Sequence, residues 1–285
     1  IPIENPVGTA PGFIVEDERG TIITLPGVPS EIRYLMKHAV APYLQSRLGQ
    51  QAVLVTRILR TAAVGESTID RAIADLETST NPTVGLSAHP GQTDVRIVAK
   101  ASTGAAAEAL VADFEAKIRE RLGAAIYATG DATLEAVIAE ECKRQGETLA
   151  VAETLTQGDI SARLGDHPDA FLGGIVAADG RRVAELLRLE QDTLTGEAGA
   201  VALAQGVRDA WGSTRGLAVL SDNPGGPWVA MAGGGDVHTR RLRFRGTDRR
   251  ARIWTTTMAL EFLRRLLLGQ ANGWAEASNA HRDQK

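Results

Sequence analysis

A chain of 285 residues exceeds the usual single-domain size, so two or three domains are expected. With 44% hydrophobic and 23% charged residues it is not a wholly disordered chain, and no apolar run approaches the roughly 18 residues of a membrane span. A net charge of -4 argues against a general polyanion binder, and one cysteine, Cys142, excludes an internal disulfide and a multi-cysteine zinc site. Ile1-Pro2-Ile3-Glu4-Asn5 has neither the basic start nor the apolar core of a signal peptide, so a cytoplasmic location is expected.

The chain opens at Ile1 directly into a Pro/Gly-punctuated segment, and residues 1–50 read as the back end of a larger α/β domain. Two strands, residues 13–16 and 21–25, flank the turn Asp17-Glu18-Arg19-Gly20, where glycine supplies positive φ. A helix follows with Pro29 in its first turn, and Ile32, Leu35, Met36, Val40 and Leu44 form its apolar stripe. Pro42 should kink or divide it.

Residues 51–129 alternate in the order βαββα: a strand over 53–61, a helix over 67–76, and strands over 83–88 and 94–101. Ala107, Leu110, Val111, Phe114, Ile118 and Leu122 line a long helix that Gly123 ends, and Ile126-Tyr127 suits a last strand. A small sheet covered by two helices is expected.

Residues 130–269 carry a helix from Asp131 and then Thr148-Leu149-Ala150-Val151-Ala152, a continuously apolar strand of the fully buried kind. Further strands are expected over 171–178, 216–220, 228–232 and 241–244, with helices between them, which gives an α/β/α sandwich. The last helix carries Trp254, Met258, Phe262 and Leu266, with a narrow polar line through Thr257, Glu261 and Arg264. That excess of apolar girth suggests a homo-oligomer through this domain. Residues 270–285 form a polar tail.

Two constellations suit chemistry. Asn5-Pro6-Val7-Gly8-Thr9-Ala10-Pro11-Gly12 and Leu25-Pro26-Gly27-Val28-Pro29 are loops that could wall a nucleotide or phosphate pocket, or serve as two structural turns. Ala152-Glu153-Thr154-Leu155-Thr156-Gln157-Gly158 follows the buried strand, where open α/β sheets bind ligands. There a hydroxyl, Thr154, is a nucleophile with nearby N–H groups as oxyanion donors, or else Thr154 or Thr156 simply N-caps the helix, and Glu153 reads equally as a solvated strand-end residue. No lysine lies between Lys143 and Lys285, and His167 and His238 have no recognisable partner, so a base is lacking. Seven arginines between 240 and 252 put Arg241, Arg243 and Arg245 on one strand face; a solvated face is favoured over a nucleic-acid surface. No His-x-x-x-His or Cys-x-x-Cys spacing marks a metal site.

Pro6-Val7-Gly8-Thr9-Ala10-Pro11-Gly12-Phe13 and Leu25-Pro26-Gly27-Val28-Pro29-Ser30-Glu31 closely resemble the signature of CinA, the competence/damage-inducible protein family. Val64-Gly65-Glu66-Ser67, Asn81-Pro82-Thr83-Val84-Gly85, Leu149-Ala150-Val151-Ala152-Glu153 and Phe171-Leu172-Gly173-Gly174-Ile175-Val176-Ala177 match it in the same order. The resemblance implies part of a molybdopterin-binding-like domain, a KH-like domain and a C-terminal amidohydrolase domain similar to nicotinamide mononucleotide deamidases of NAD salvage. It places the nucleophile at Thr154 and substrate contacts at Glu153, Thr156, Gly158, Gly173 and Gly174. The remnant of the N-terminal nucleotide pocket would be Asn5, Gly8, Ala10, Gly12, Pro26 and Gly27. The family's Ser reads Thr154, its Cys reads Leu155, a glycine reads Gln157, its Tyr reads Ala178 and its catalytic Lys reads Val183, so the site reads as eroded. No cofactor is expected in this chain; metal-dependent ADP-ribose hydrolysis belongs with a complete N-terminal domain. The partners expected are a mononucleotide or ADP-ribose-like small molecule and further copies of the chain, without nucleic acid or membrane.

Overall fold

The computed structural model describes residues 1–48, 52–190, 194–221, 226–242 and 246–270. The chain forms two compact units, Ile1–Leu54 with Lys100–Glu108, and Val55–Ala99 with Ala109–Lys285. Among the described residues no helix is long and apolar enough to cross a membrane.

In the first unit, β1 (Pro2–Ile3), β2 (Gly12–Asp17) and β3 (Gly20–Thr24) form an antiparallel sheet in that order. The Asp17 carboxylate takes the Arg19 N–H at 2.8 Å, which closes the expected turn, and Gly20 sits at φ 152°. Helix α1 (Pro29–Leu35) runs through a π-turn, Met36–Val40, into α2 (Ala41–Leu48). Pro42 has no N–H to continue an α-helical ladder, and the wider turn just before it absorbs the interruption. That extra residue rotates the apolar stripe: Leu35 and Val40 are buried with Ile3 and Ile14, whereas Met36 is 43% exposed.

The KH-like part has the expected βαββα order with one more strand: β4 (Val53–Ala62), α3 (Glu66–Glu77), β5 (Thr83–His89), β6 (Gln92–Ala101), α4 (Gly104–Leu122) and β7 (Ile126–Thr129). The sheet order is β5-β6-β4-β7. Ile69, Ile73 and Leu76 of α3 and Val111 and Ile118 of α4 are buried, as are Leu59, Val95 and Ile97 of the strands. The β5–β6 loop is only Pro90-Gly91, tighter than the five-residue connection expected, with Gly91 at φ 76°.

The C-terminal part is the expected α/β/α sandwich. It comprises α5 (Leu134–Gln145), β8 (Leu149–Glu153), α6 (Asp159–Leu164), β9 (Phe171–Val176), α7 (Gly180–Leu187), α8 (Gly196–Trp211), β10 (Arg215–Leu220), β11 (Trp228–Gly233), β12 (Asp236–Arg241) and α9 (Arg249–Leu267). The sheet runs β12-β11-β10-β8-β9, parallel among β10, β8 and β9 and antiparallel beyond. Alternation sorts its two faces. Leu149, Val151, Leu217, Val219, Val229 and Met231 pack with α5, α6 and α9, while Ala150, Ala152, Ala218, Ala230 and Ala232 meet α7 and α8. The alanine face lets α8 come close, since a Cβ on Gly216 would lie 1.9 Å from the Ala204 carbonyl oxygen.

The strand expected over 241–244 is a correction. It begins at Asp236, directly after a two-residue Gly234-Gly235 turn with φ of 66° and 89°, and ends at Arg241. Residues 243–245 of the expected arginine face lie outside the described residues.

The polar line on α9 is a second correction, because Thr257, Glu261 and Arg264 are buried rather than solvated. Their cover comes from the KH-like part. The Arg264 Nη2 donates to the Ala124 carbonyl at 2.5 Å, and Thr257 packs against Gly91. The girth that suggested a second subunit is therefore filled within the chain. Ala62 joins the same core as α5 and α9, so the two parts share one hydrophobic interior.

Candidate functional site

Strand β8 ends on Glu153, whose side chain is fully buried. Its carboxylate accepts from the backbone N–H of Gly158 at 3.1 Å, Ile160 at 3.1 Å and Ser161 at 2.8 Å, and from the Ser161 hydroxyl at 2.6 Å. A buried carboxylate has thus taken the orphan donors of α6 and sits at the positive end of the helix. Its acceptor capacity is spent on its own chain. Gly158, at φ 90°, is the turn that brings those donors round.

Thr154 is 2% exposed. Its hydroxyl donates to the Val219 carbonyl at 3.0 Å and accepts the Ser221 N–H at 2.9 Å. Those two bonds stitch the end of β8 to the end of β10 and commit both the proton and a lone pair. Thr154 does not cap α6, whose N-cap is Gly158. The hydroxyls of Thr156, Thr255 and Thr256 are buried with no hydrogen-bond partner among the described residues. Gln157, at φ 52°, accepts from the Arg252 guanidinium, which ties this turn to α9.

Gly173 and Gly174 serve packing on opposite faces of β9. A Cβ on Gly173 would lie 2.3 Å from Trp211 Nε1, and one on Gly174 would lie 2.6 Å from the Val151 carbonyl oxygen and 3.0 Å from Ser161 Oγ. Downstream, Ala178 is exposed and Val183 is fully buried in the core against α8.

In the first unit, Asn5 Nδ2 donates to the Ala10 carbonyl at 2.9 Å and to Glu31 Oε2 at 2.7 Å, while its Oδ1 takes the Val7 N–H at 3.3 Å. A Cβ on Gly8 would overlap the Glu31 carboxylate. Gly12 pairs with Ile3 in the sheet, and Gly27, after Pro26, faces open space. The loop therefore closes on a carboxylate from the first turn of α1, which does not suit a second anion there. Glu31 is also the one carboxylate that these hydrogen bonds reach, too few oxygens for a divalent-ion site. Among the described residues, no three His, Cys, Asp or Glu side chains gather as a metal-binding group.

A cleft of about 1190 Å³ opens elsewhere in the second unit. It lies where β11 begins and β12 ends, the sheet end that also carries the carboxyl end of β10, and there α/β ligands usually sit. The turn from Ala63 to Glu66 and the Pro90-Gly91 hairpin wall it on one side, with Trp228, Arg240, Arg241, Arg250 and Trp254 opposite. The Arg241 guanidinium lies 5.7 Å from the Trp228 ring. Sequence reading did not single out this place. Its signals were scattered: the arginine run from 240, the Val64-Gly65-Glu66 motif and two of the chain's four tryptophans all line this one cleft, and only the fold brings them together.

Residues 56–128 match the model described as the damage-inducible protein CinA KH domain, and residues 131–267 match the CinA C-terminal domain. A CinA-like protein from Frankia casuarinae is 38% identical over 95% of this chain and 67% of its own length. A putative competence-damage inducible protein from Clostridium novyi is 35% identical over 92% of this chain and 67% of its own length. The chain belongs to the CinA family. A solved competence or damage-inducible protein from Enterobacter asburiae has 19% identity and a TM-score of 0.43, covering 48% of this chain and 99% of that one. Within this CinA chain, the position that the family resemblance gives to a catalytic lysine holds core-buried Val183, and its nucleophile position holds the doubly bonded Thr154.

Proposed function

We propose that this CinA-family protein keeps the C-terminal amidohydrolase-like domain as a nucleotide-binding scaffold that does not hydrolyse nicotinamide mononucleotide at Thr154. The observation that carries this reading is the Thr154 hydroxyl, which holds Val219 and Ser221 together across the sheet. Attack on a carboxamide needs a free lone pair and a base to take the proton. Neither His167 nor His238 is among the partners of Thr154, and Val183 brings no amine. Losing an activating partner removes several powers of ten in rate, roughly 10⁴ in triad enzymes. Ammonia release from nicotinamide mononucleotide by the full chain should therefore be at background, and Thr154→Ser alone should not raise it. Release near an ordinary turnover of about 10 per second, abolished by Thr154→Ala, would sink this reading.

A further inference from the structure

Strand β5 ends the KH-like sheet, and among the described residues nothing pairs with its outer side. All of its residues pair with β6 in one register, from Thr83 opposite Val98 to His89 opposite Gln92. The Thr93 carbonyl turns the other way, toward β4, where it accepts the Thr61 hydroxyl at 2.6 Å. Bonding alternates along an antiparallel ladder. Ala88, opposite Thr93, therefore points its N–H and C=O outward, and Leu86 and Val84 do the same. Such a row of unpaired backbone groups is a template for another strand. The other edge strands described in the second unit are blunted. β12 carries Asp236, His238, Arg240 and Arg241, β9 shifts register against β8, and β7 has only four residues beside a register shift in β4. Strand β5 has no proline, lysine, arginine or carboxylate to serve that purpose.

Helix α3 packs on β5 and turns Ile69, Ile73 and Leu76 into the core. Its flank through Ala72 and Asp75 faces α4, because Arg121 of α4 donates to the Ala72 carbonyl at 3.1 Å and to the Asp75 carboxylate at 2.9 Å. At about 100° per residue, the opposite flank carries Glu66, Asp70 and Glu77. Helix α4 is tied to β4 by the Arg57–Glu115 pair, two strands inward, so the acidic flank overhangs the open side of β5. Arg71, on the solvent side of α3, turns back to the Ser67 carbonyl at 3.1 Å. Burial and the adjoining Asp70 carboxyl hold the Glu77 carboxyl above its ordinary 4.5. Half-buried Val84 and Leu86 lie between this flank and the edge, and on the other sheet face Arg96 stands opposite Gly85.

We propose that this groove takes an extended basic peptide of a partner protein, added to β5 as an antiparallel strand with lysine or arginine at alternate positions. The stems of those side chains lie along Val84 and Leu86 while their heads reach the acidic flank. The spacing fits, since Glu66 and Asp70 are about 6 Å apart along the helix and same-face residues of a strand about 6.8 Å apart. Arg96 disfavours a cation on the opposite face, which calls for neutral residues between the basic ones. A second copy of the chain suits the groove less, because its own β5 brings no lysine or arginine to the flank.

The test is calorimetry and amide hydrogen exchange on the full chain with the capped peptide Lys-Thr-Lys-Thr-Lys-Thr-Lys. Its lysines face α3, so their N–H groups are the ones that bond to β5. N-methylation of the two central lysines should weaken binding roughly tenfold or more, whereas N-methylation of two threonines should be tolerated. A peptide of the same composition with its four lysines in a row should bind more weakly than the alternating one. Asp70→Lys, on an exposed residue, should weaken binding roughly tenfold or more. In the complex, the amides of Val84, Leu86 and Ala88 should exchange roughly tenfold more slowly or better. No binding at about 1 mM peptide would overturn the proposal, as would affinity indifferent to Asp70→Lys. Equal binding of the block peptide or of the lysine-methylated one would leave charge attraction without strand addition, and overturn it too. Protection of the same three amides that grows with protein concentration in the free chain would give the edge to a second copy instead.

Discussion

Glu153 is a buried carboxylate with no cationic partner among the described residues, held by three backbone N–H groups and one hydroxyl. Removing it strands those donors at the start of α6, and charge-assisted bonds of this kind are worth about 1.5–3 kcal/mol each before relaxation. Glu153→Ala should cost about 3–5 kcal/mol in urea unfolding. A loss below about 1 kcal/mol would show that the donors find other acceptors. A second carboxylate behaves differently. Glu147 meets Arg215 through two bonds, at 2.8 and 3.0 Å, at the opposite end of the sheet. The Arg215 guanidinium beside it holds the Glu147 carboxyl below its ordinary value of 4.5, against the opposing effect of burial. A lowered folded value means the pair stabilises fully above the unfolded value and loses that contribution as pH falls through the folded one. The difference in stability between the native chain and Glu147→Gln should therefore be about 1–3 kcal/mol at pH 7 and should shrink progressively below pH 4.5. A difference independent of pH from 7 to about 3 would remove the ion pair as its cause.

Among the elements, α9 separates what periodicity reveals from what it hides. Its apolar residues at four-residue spacing gave the helix, and the uninterrupted apolar run gave β8, because each pattern has one conformation that buries it. The polar residues of α9 misled, since a helix read alone has no way to announce cover from a segment more than a hundred residues earlier. Glu261 bonds Arg264 at 2.7 and 2.8 Å and Arg265 at 2.6 Å, all three side chains at most 4% exposed. Glu261→Ala leaves two guanidinium groups buried beside a lost partner and should cost about 3–5 kcal/mol, measured by denaturant midpoint. A cost near zero would mean that the arginines reach water once released. Strand β12 was hidden for another reason: Asp236-Val237-His238-Thr239-Arg240-Arg241 is a polar edge strand, fixed by the Gly-Gly turn and its register with β11 rather than by alternation. The site followed the same division. The turn after β8 was legible from its place beyond a buried strand, but Thr154's partner Val219 lies 65 residues along the chain, and only the fold brings them together.

On the scale of the whole chain, the two units differ in how much interior each has to defend. In the described residues of the first, Ile3, Ile14, Leu35 and Val40 form the buried cluster, while Phe13, Val15 and Ile22 of its sheet are 47%, 52% and 67% exposed. In the second, one cluster of 20 buried residues runs from Ala62 of β4 through β8 and β10 to Leu267 of α9. Opening free energy scales with the apolar area that must be exposed, so the sheet of the first unit should open well below the global transition. Native-state hydrogen exchange on the full chain should then find amides of β2 and β3 exchanging at least a hundredfold faster than those of β8 and β10. Amides of β4 near Ala62 and of α9 should exchange together with β8, because the core they share cannot be opened from one side alone. Protection of β2 and β3 equal to β8 would mean that something covers Phe13, Val15 and Ile22 in solution. Exchange of α9 ahead of β4 and β8 would divide the second unit.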